Sequence, residues 1–142
     1  KVRDTGAIRE CARKYISDFE IKCVSERQSV VELSGGNQQK ICLAKAFAMN
    51  PRLLFVAEPT RGIDVGAKKV VLDTLRRYNR DSGVTIVMIS SELEEMRSIC
   101  GRIAIIDEGR VAGILPAAAP STEFGVLMLG KIQKTRERVT SE

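Results

Sequence analysis

The sequence has no histidine in its 142 residues. That excludes an imidazole general base, Ser-His-Asp and Cys-His nucleophile systems, and His-ligated zinc. Tryptophan is absent as well, and aromatic residues make up only 4% of the chain. Nucleic-acid binding by stacking needs aromatics interleaved in a basic stripe. The net charge of +5 is modest, and its Lys and Arg are spread as solvated faces, so no nucleic-acid partner is expected. Long apolar runs are missing too. The best, Leu53 to Ala57, falls far short of the roughly 18 residues that cross a bilayer, and Lys1-Val2-Arg3-Asp4 has none of the apolar character of a signal peptide. A soluble chain is expected.

Four cysteines, Cys11, Cys23, Cys42 and Cys100, form neither a C-x-x-C pair nor a tight cluster. Cys11 and Cys42 fall inside helical patterns, where cysteine usually acts as a small hydrophobe, so reduced thiols in a cytosolic compartment are expected. What remains for chemistry is carboxylates, backbone amides, hydroxyls and cations. With 44% hydrophobic and 29% charged residues, the chain has the composition of one globular domain.

Ile8, Cys11, Ala12, Tyr15, Ile16 and Phe19 fall on one helical stripe. Residues 20–32 lose that period and read as a connection. Ser34-Gly35-Gly36 opens a second helix carrying Ile41, Ala44, Phe47 and Ala48, which Asn50-Pro51 stops. Leu53 to Val56 and Val84 to Ile89 are short apolar runs, expected as strands buried on both faces. Between them lies a helix with Val71, Leu75 and Tyr78 on one side, ended by Ser82-Gly83. Ser91 with Glu94 reads as a capping box before a short helix. Arg102–Asp107 and Arg110–Leu115 flank Glu108-Gly109 as a hairpin; a Pro/Ala connector, a short helix from Ser121 and a charged tail follow. Strand, helix, strand, helix implies a parallel α/β sheet, here preceded by a helical piece.

The sharpest motif is Leu33-Ser34-Gly35-Gly36-Asn37-Gln38-Gln39-Lys40. Two glycines let a backbone approach a ligand closely where a helix begins, and the free N–H groups and positive dipole end of that helix attract anions. Taken alone, Ser-Gly-Gly before a helix is also consistent with plain capping. Further on, an apolar strand runs into Ala57-Glu58-Pro59-Thr60-Arg61-Gly62-Ile63-Asp64, and a second ends at Ser90-Ser91-Glu92. A carboxylate at the tip of a parallel strand sits where α/β sheets bind ligands; Glu58 could equally cap the next helix or pair with Arg61.

Together these segments resemble the ATP-binding cassette (ABC) ATPases. LSGGNQQK looks like the signature motif, LLFVAEPTRGID like Walker B running into the D-loop, and ISSELEE stands at the switch-histidine segment. The wording is similar to the second, C-terminal cassette of fused double-cassette ATPases that drive bacterial import of simple sugars and nucleosides. The resemblance implies an α/β fold, a partial P-loop NTPase core with a parallel sheet preceded by an α-helical subdomain. It divides the chain into part of that subdomain (1–31), the signature helix, Walker B, D-loop and switch region (32–115), and a C-terminal helix and tail (116–142).

The same resemblance implies roles. Ser34, Gly35, Gly36 and Gln38 would contact the γ-phosphate of ATP held by an opposite cassette; Glu58 would polarise the attacking water; Asp64 would communicate across the dimer. Ala57 replaces the aspartate that supports Mg²⁺, and Ser91 replaces the switch histidine, so the cassette's own hydrolytic half looks degenerate. ATP and Mg²⁺ would be held largely outside this chain, because a P-loop is missing. The nearest approximation, Gly125 to Ile132, has an apolar interior, follows no strand and ends in Ile132 instead of a hydroxyl. A P-loop is therefore expected upstream of Lys1, and the chain by itself is expected to be inactive. Expected partners are a second cassette, transmembrane permease subunits and, indirectly, a solute-binding protein, with the cassette on the cytoplasmic face of the membrane. Ala57 and the stretch Thr122–Gly130 lean toward the nucleoside branch. The alternative is a degenerate docking module for membrane subunits.

Overall fold

A computed structural model describes residues 4–129, which fall in two compact units divided between Ser91 and Glu92. The first begins with helix α1 (Thr5–Asp18), capped by Asp4, whose carboxylate accepts from the N–H groups of Gly6 and Ala7. A single 3₁₀ turn (Val30–Glu32) leads to α2 (Gly35–Ala48), then strand β1 (Leu53–Ala57), helix α3 (Val65–Ser82) and strand β2 (Thr85–Ile89). β1 and β2 pair in parallel, Leu53 opposite Thr85 and Ala57 opposite Ile89. α3 is the crossover that a parallel pair requires.

The core of this unit is an aromatic cluster. Phe19 is fully buried at the C-terminal end of α1, Phe47 comes from α2, and Tyr78 from α3. The Phe47 and Tyr78 rings stack at 4.2 Å between centroids, and Phe19 lies 6.0 Å from each, within the range where ring pairs add to simple area burial. Around it, Tyr78 Oη donates to Asp18 Oδ2 at 2.7 Å, while Thr74 Oγ1 and Arg77 donate to the Asp18 carbonyl, joining α1 to α3. Gly83, at φ 66°, closes α3 in the left-handed conformation a C-terminal glycine supplies cheaply.

The second unit contains α4 (Leu93–Ile99), an antiparallel hairpin of β3 (Arg102–Asp107) and β4 (Arg110–Pro116), and α5 (Ser121–Leu129). Glu108 and Gly109 both have positive φ, the mirror-image turn that suits the twist of a two-residue hairpin. Ile103, Ile105, Ala117, Ala119 and Phe124 form its core. Arg97 holds the connector in place, donating to the carbonyls of Ala117 and Ala119 and to the Ser121 hydroxyl.

Several expectations change. The α1 stripe is buried only toward its end: Ile8 and Cys11 are exposed, and the burial concentrates at Phe19. Cys42 is exposed as well, because the inward stripe of α2 is Lys40, Leu43, Ala44 and Phe47; Ile41 is half-buried and Ala48 exposed. All four cysteines are free thiols. The β1 strand is not covered on both faces: Leu53 is 51% and Phe55 64% exposed, since nothing among the described residues layers over that side of the pair. No capping box forms at Ser91. Glu92 is the N-cap of α4 without a side-chain cap bond, and the Ser91 amide is engaged elsewhere. The P-loop approximation enters α5 at Gly125–Leu129, with Val126 and Met128 exposed; its remainder, Gly130–Ile132, and the charged tail lie outside the described residues.

Candidate functional site

Ser34 is the N-cap of α2, in extended backbone conformation with ψ 153°. Its side chain caps no amide of the helix; Ser34 Oγ instead accepts from Asn37 Nδ2 at 3.0 Å. The first amide bonded within the turn is that of Gln38, which donates to the Ser34 carbonyl. The amides of Gly35, Gly36 and Asn37 precede it, at the end of a helix where N–H groups lack intrahelical acceptors. A Cβ on Gly35 would meet nothing within 4 Å, so this turn is open on its outer side. A Cβ on Gly36 would lie 3.3 Å from Ile63 Cγ2, so that glycine permits close approach to the loop after β1. The open turn suits an anionic ligand approaching from outside.

The polar side chains behind the turn are turned inward. Asn37 Oδ1 accepts from the Lys22 amide, and Gln38 Nε2 donates to the Leu33 carbonyl. Gln39 Nε2 donates to the Glu58 carbonyl at 2.9 Å, and Lys40 Nζ to the Glu20 carbonyl at 3.1 Å. Lys40 is buried, and that burial lowers its pKa despite the opposing charges of Glu20 and Asp64. Of the residues expected to face a nucleotide, Ser34 and Gly35 lie at the open turn, Gly36 packs inward, and the Gln38 amide is occupied by Leu33. Gln39 and Lys40 escaped the reading of residue types. For Lys40 a signal existed: it lies three, four and seven positions before Leu43, Ala44 and Phe47, on the stripe that faces the core.

Glu58 follows β1 directly and has φ 46°, a left-handed conformation uncommon for a non-glycine residue. Its backbone is fixed on both sides, by its own amide donating to the Ile89 carbonyl at 2.7 Å and by Gln39. Its Oε1 accepts from the Ser91 amide at 2.9 Å. The half-buried carboxylate thus belongs at the C-terminal ends of both strands, the edge where parallel sheets bind ligands. Ala57, one residue before, is exposed and offers no donor or ligand atom. Ser91 brings its amide, not its hydroxyl, to Glu58.

Asp64 is the N-cap of α3, and its carboxylate accepts from the Ala67 amide at 2.9 Å. These amide bonds, that of Ala67 foremost, hold its pKa below the ordinary carboxylate value. For Mg²⁺ the donor set does not fit: Ala57 carries a methyl group, and among the described residues no group of three His, Cys, Asp or Glu side chains converges.

Residues 2–61 match the family model described as ABC transporter. Over that stretch the chain is similar to the ABC transporter ATPases. It is 40% identical over 128 residues to the nucleoside import ATP-binding protein NupA of Lactococcus lactis, an alignment covering 89% of this chain and 25% of that protein. To the ribose import ATP-binding protein RbsA of Clostridium perfringens it is 48% identical over 101 residues, covering 71% of this chain and 20% of RbsA. The chain therefore spans about a quarter or less of the curated relatives it matches. The bacterial ABC transporter cassette MJ0796, described as a dimeric post-hydrolysis state bound to ADP and Pi, superposes with a TM-score of 0.75 at 22% identity, covering 84% of this chain and 51% of that one. That likeness shows part of an ABC cassette fold, consistent with the parallel pair and preceding helices seen here. No described helix is long and apolar enough to cross a membrane.

Proposed function

We propose that this chain is the signature-bearing part of a cassette in an import ATPase for a simple sugar or nucleoside, and that its Ser34–Gly36 turn completes the ATP site of a partner cassette. The observation that carries the reading is the open turn at Gly35, ahead of a helix whose N-cap side chain leaves the first amides uncapped. The amides and the Ser34 hydroxyl supply donors to the γ-phosphate, and the helix dipole adds favourable potential. ATP is gripped by a P-loop of the partner cassette and supplies the transferred phosphoryl group. This chain's share of the work is to orient that phosphate and shield it from bulk water. Closure of the two cassettes then moves permease subunits between inward- and outward-facing states, at the cytoplasmic face of the membrane, with solute delivered by a separate binding protein.

At the cassette's own site, Glu58 acts as the general base. The Ala57 methyl group removes the carboxylate that would support Mg²⁺, and Ser91 has no imidazole to offer, so that site turns over slowly. Asp64, by capping α3, holds the loop between Glu58 and α3 in shape for contact with the partner. Likeness to NupA, and the resemblance of Ala57 and the stretch Thr122–Gly130 to the nucleoside-importing branch, favour a nucleoside as cargo. A second reading, a docking module with a dead site, draws support from the same Ala57 and Ser91.

The test is Ser34→Arg in the full-length protein assembled with its membrane subunits. A guanidinium stem filling the open turn should reduce transport-coupled ATP hydrolysis by about a hundredfold or more, in line with loss of positioning at a phosphoryl-transfer site. Hydrolysis that survives the change refutes the assignment.

A further inference from the structure

The signature turn and Glu58 are joined by the side chain of Gln39. Gln39 stands on the second turn of α2 and donates through Nε2 to the carbonyl of Glu58 at 2.9 Å. That carbonyl belongs to a residue held at φ 46°, whose amide is tied to β2 at Ile89 and whose carboxylate is tied to the Ser91 amide. A few residues away, Gly36 lies so close to Ile63 that an added Cβ would come within 3.3 Å of it. The first turns of α2 are thus fastened to the 58–63 segment twice, once by a directional hydrogen bond and once by tight packing. The hydrogen bond adds an angular restraint to the packing contact, because it depends on angle as well as distance.

We propose that Gln39 is a positioning residue that sets the orientation of the signature turn by clamping α2 to the backbone of Glu58. The proposal rests on the reading of Ser34–Gly36 as the nucleotide-facing turn. In a two-cassette sandwich that turn serves one ATP, whereas Glu58 lies beside the other. A movement of Glu58 at its own site therefore reaches the neighbouring site through the Gln39 amide. Losing the clamp lets α2 rotate by a small angle, and misplacements of about 1 Å at a reacting centre are enough to lower rates by up to about a hundredfold.

The experiment uses the full-length import ATPase assembled with its permease subunits, reading kcat and KM for ATP. Gln39→Met keeps length and bulk but removes the donor; kcat should fall between about five- and a hundredfold while KM stays within about twofold. Gln39→Arg, which restores N–H donors on a longer stem, should recover most of the rate. Gln39→Glu is the second variant should the methionine form fold poorly: it keeps the shape, replaces the donor with an oxygen facing a carbonyl, and should lose turnover to the same degree. Wild-type turnover in either donor-free variant, alongside abolition by Ser34→Arg, overturns the clamp while leaving the signature reading intact. A loss shared between kcat and KM and not recovered by Gln39→Arg marks a general structural defect and also overturns it. Turnover that survives Ser34→Arg removes the nucleotide-facing reading and the proposal with it.

Discussion

The carboxylate of Glu58 accepts the backbone N–H of Ser91 at 2.9 Å, so a side chain just past the end of β1 is held by the second residue after β2. The amide oxygen of glutamine can accept the same bond. Glu58→Gln should therefore keep the local fold while removing a general base, a function worth about 10²–10⁴ in rate. Turnover at this cassette's own site, measured in the full-length protein with the partner site inactivated, should fall by at least that lower figure. Unchanged turnover there favours the docking module.

Tyr78 offers a second test through pH. Its phenol is desolvated among Phe19 and Phe47 and donates to Asp18, and both effects, burial first, push its pKa well above the ordinary 10. Because the folded pKa is raised, the neutral phenol favours folding; that contribution is complete below about pH 10 and is lost as pH climbs beyond it. Tyr78→Phe should cost about 1–2 kcal/mol near neutrality by removing the hydrogen bond to Asp18, which keeps its ion pairs with Lys14 and Arg77. It should also flatten the decline in stability above pH 10. Urea unfolding at pH 7 and at pH 11 checks both effects.

Arg97 anchors the second unit through its bonds to the carbonyls of Ala117 and Ala119 and by lying 5.7 Å from the Phe124 ring centroid. A lysine cannot reproduce that planar fork of donors. Arg97→Lys should lose about 2–3 kcal/mol, and Arg97→Met at least as much. Faster amide exchange across 117–121 would report the loosened connector; unchanged protection there would contradict the anchoring role.

Gly113 allows β4 to approach α5. A Cβ there would lie 2.5 Å from Leu127 Cδ1 and 3.1 Å from Cδ2. Gly113→Ala should cost about 1–3 kcal/mol as an overpacked contact. Adding Leu127→Val, which withdraws the clashing atoms, should recover part of it. Additive losses in the double variant would show that the two positions do not couple.

Much of this was legible in residue order. The glycine pair before a polar helix start located α2, and the apolar pulses around Val65–Ser82 located β1, α3 and β2, because these signals are local. The stripe of Val71, Leu75 and Tyr78 named the buried side of α3 correctly, with Thr74 added by its bond to Asp18. What escaped depends on distant partners. Gln39 and Lys40 read as ordinary polar helix residues until the chain brings the carbonyls of Glu58 and Glu20 to them. Ser91 looked like a cap three residues before Glu94, but the competing acceptor at Glu58 takes its amide. Cys11 and Cys42 failed as core residues because the real stripes run beside them, ending in Phe19 and Phe47.

One row on the β1–β2 pair, Leu53, Phe55, Val87 and Ile89, looks outward. Parallel ribbons are seldom left bare, and two strands alone have little intrinsic persistence. Until something roofs that row it is an adhesive strip, as ready to recruit a chaperone or a sister ribbon as its proper cover. Covering that strip is accordingly what keeps this segment from sticking to the wrong surface.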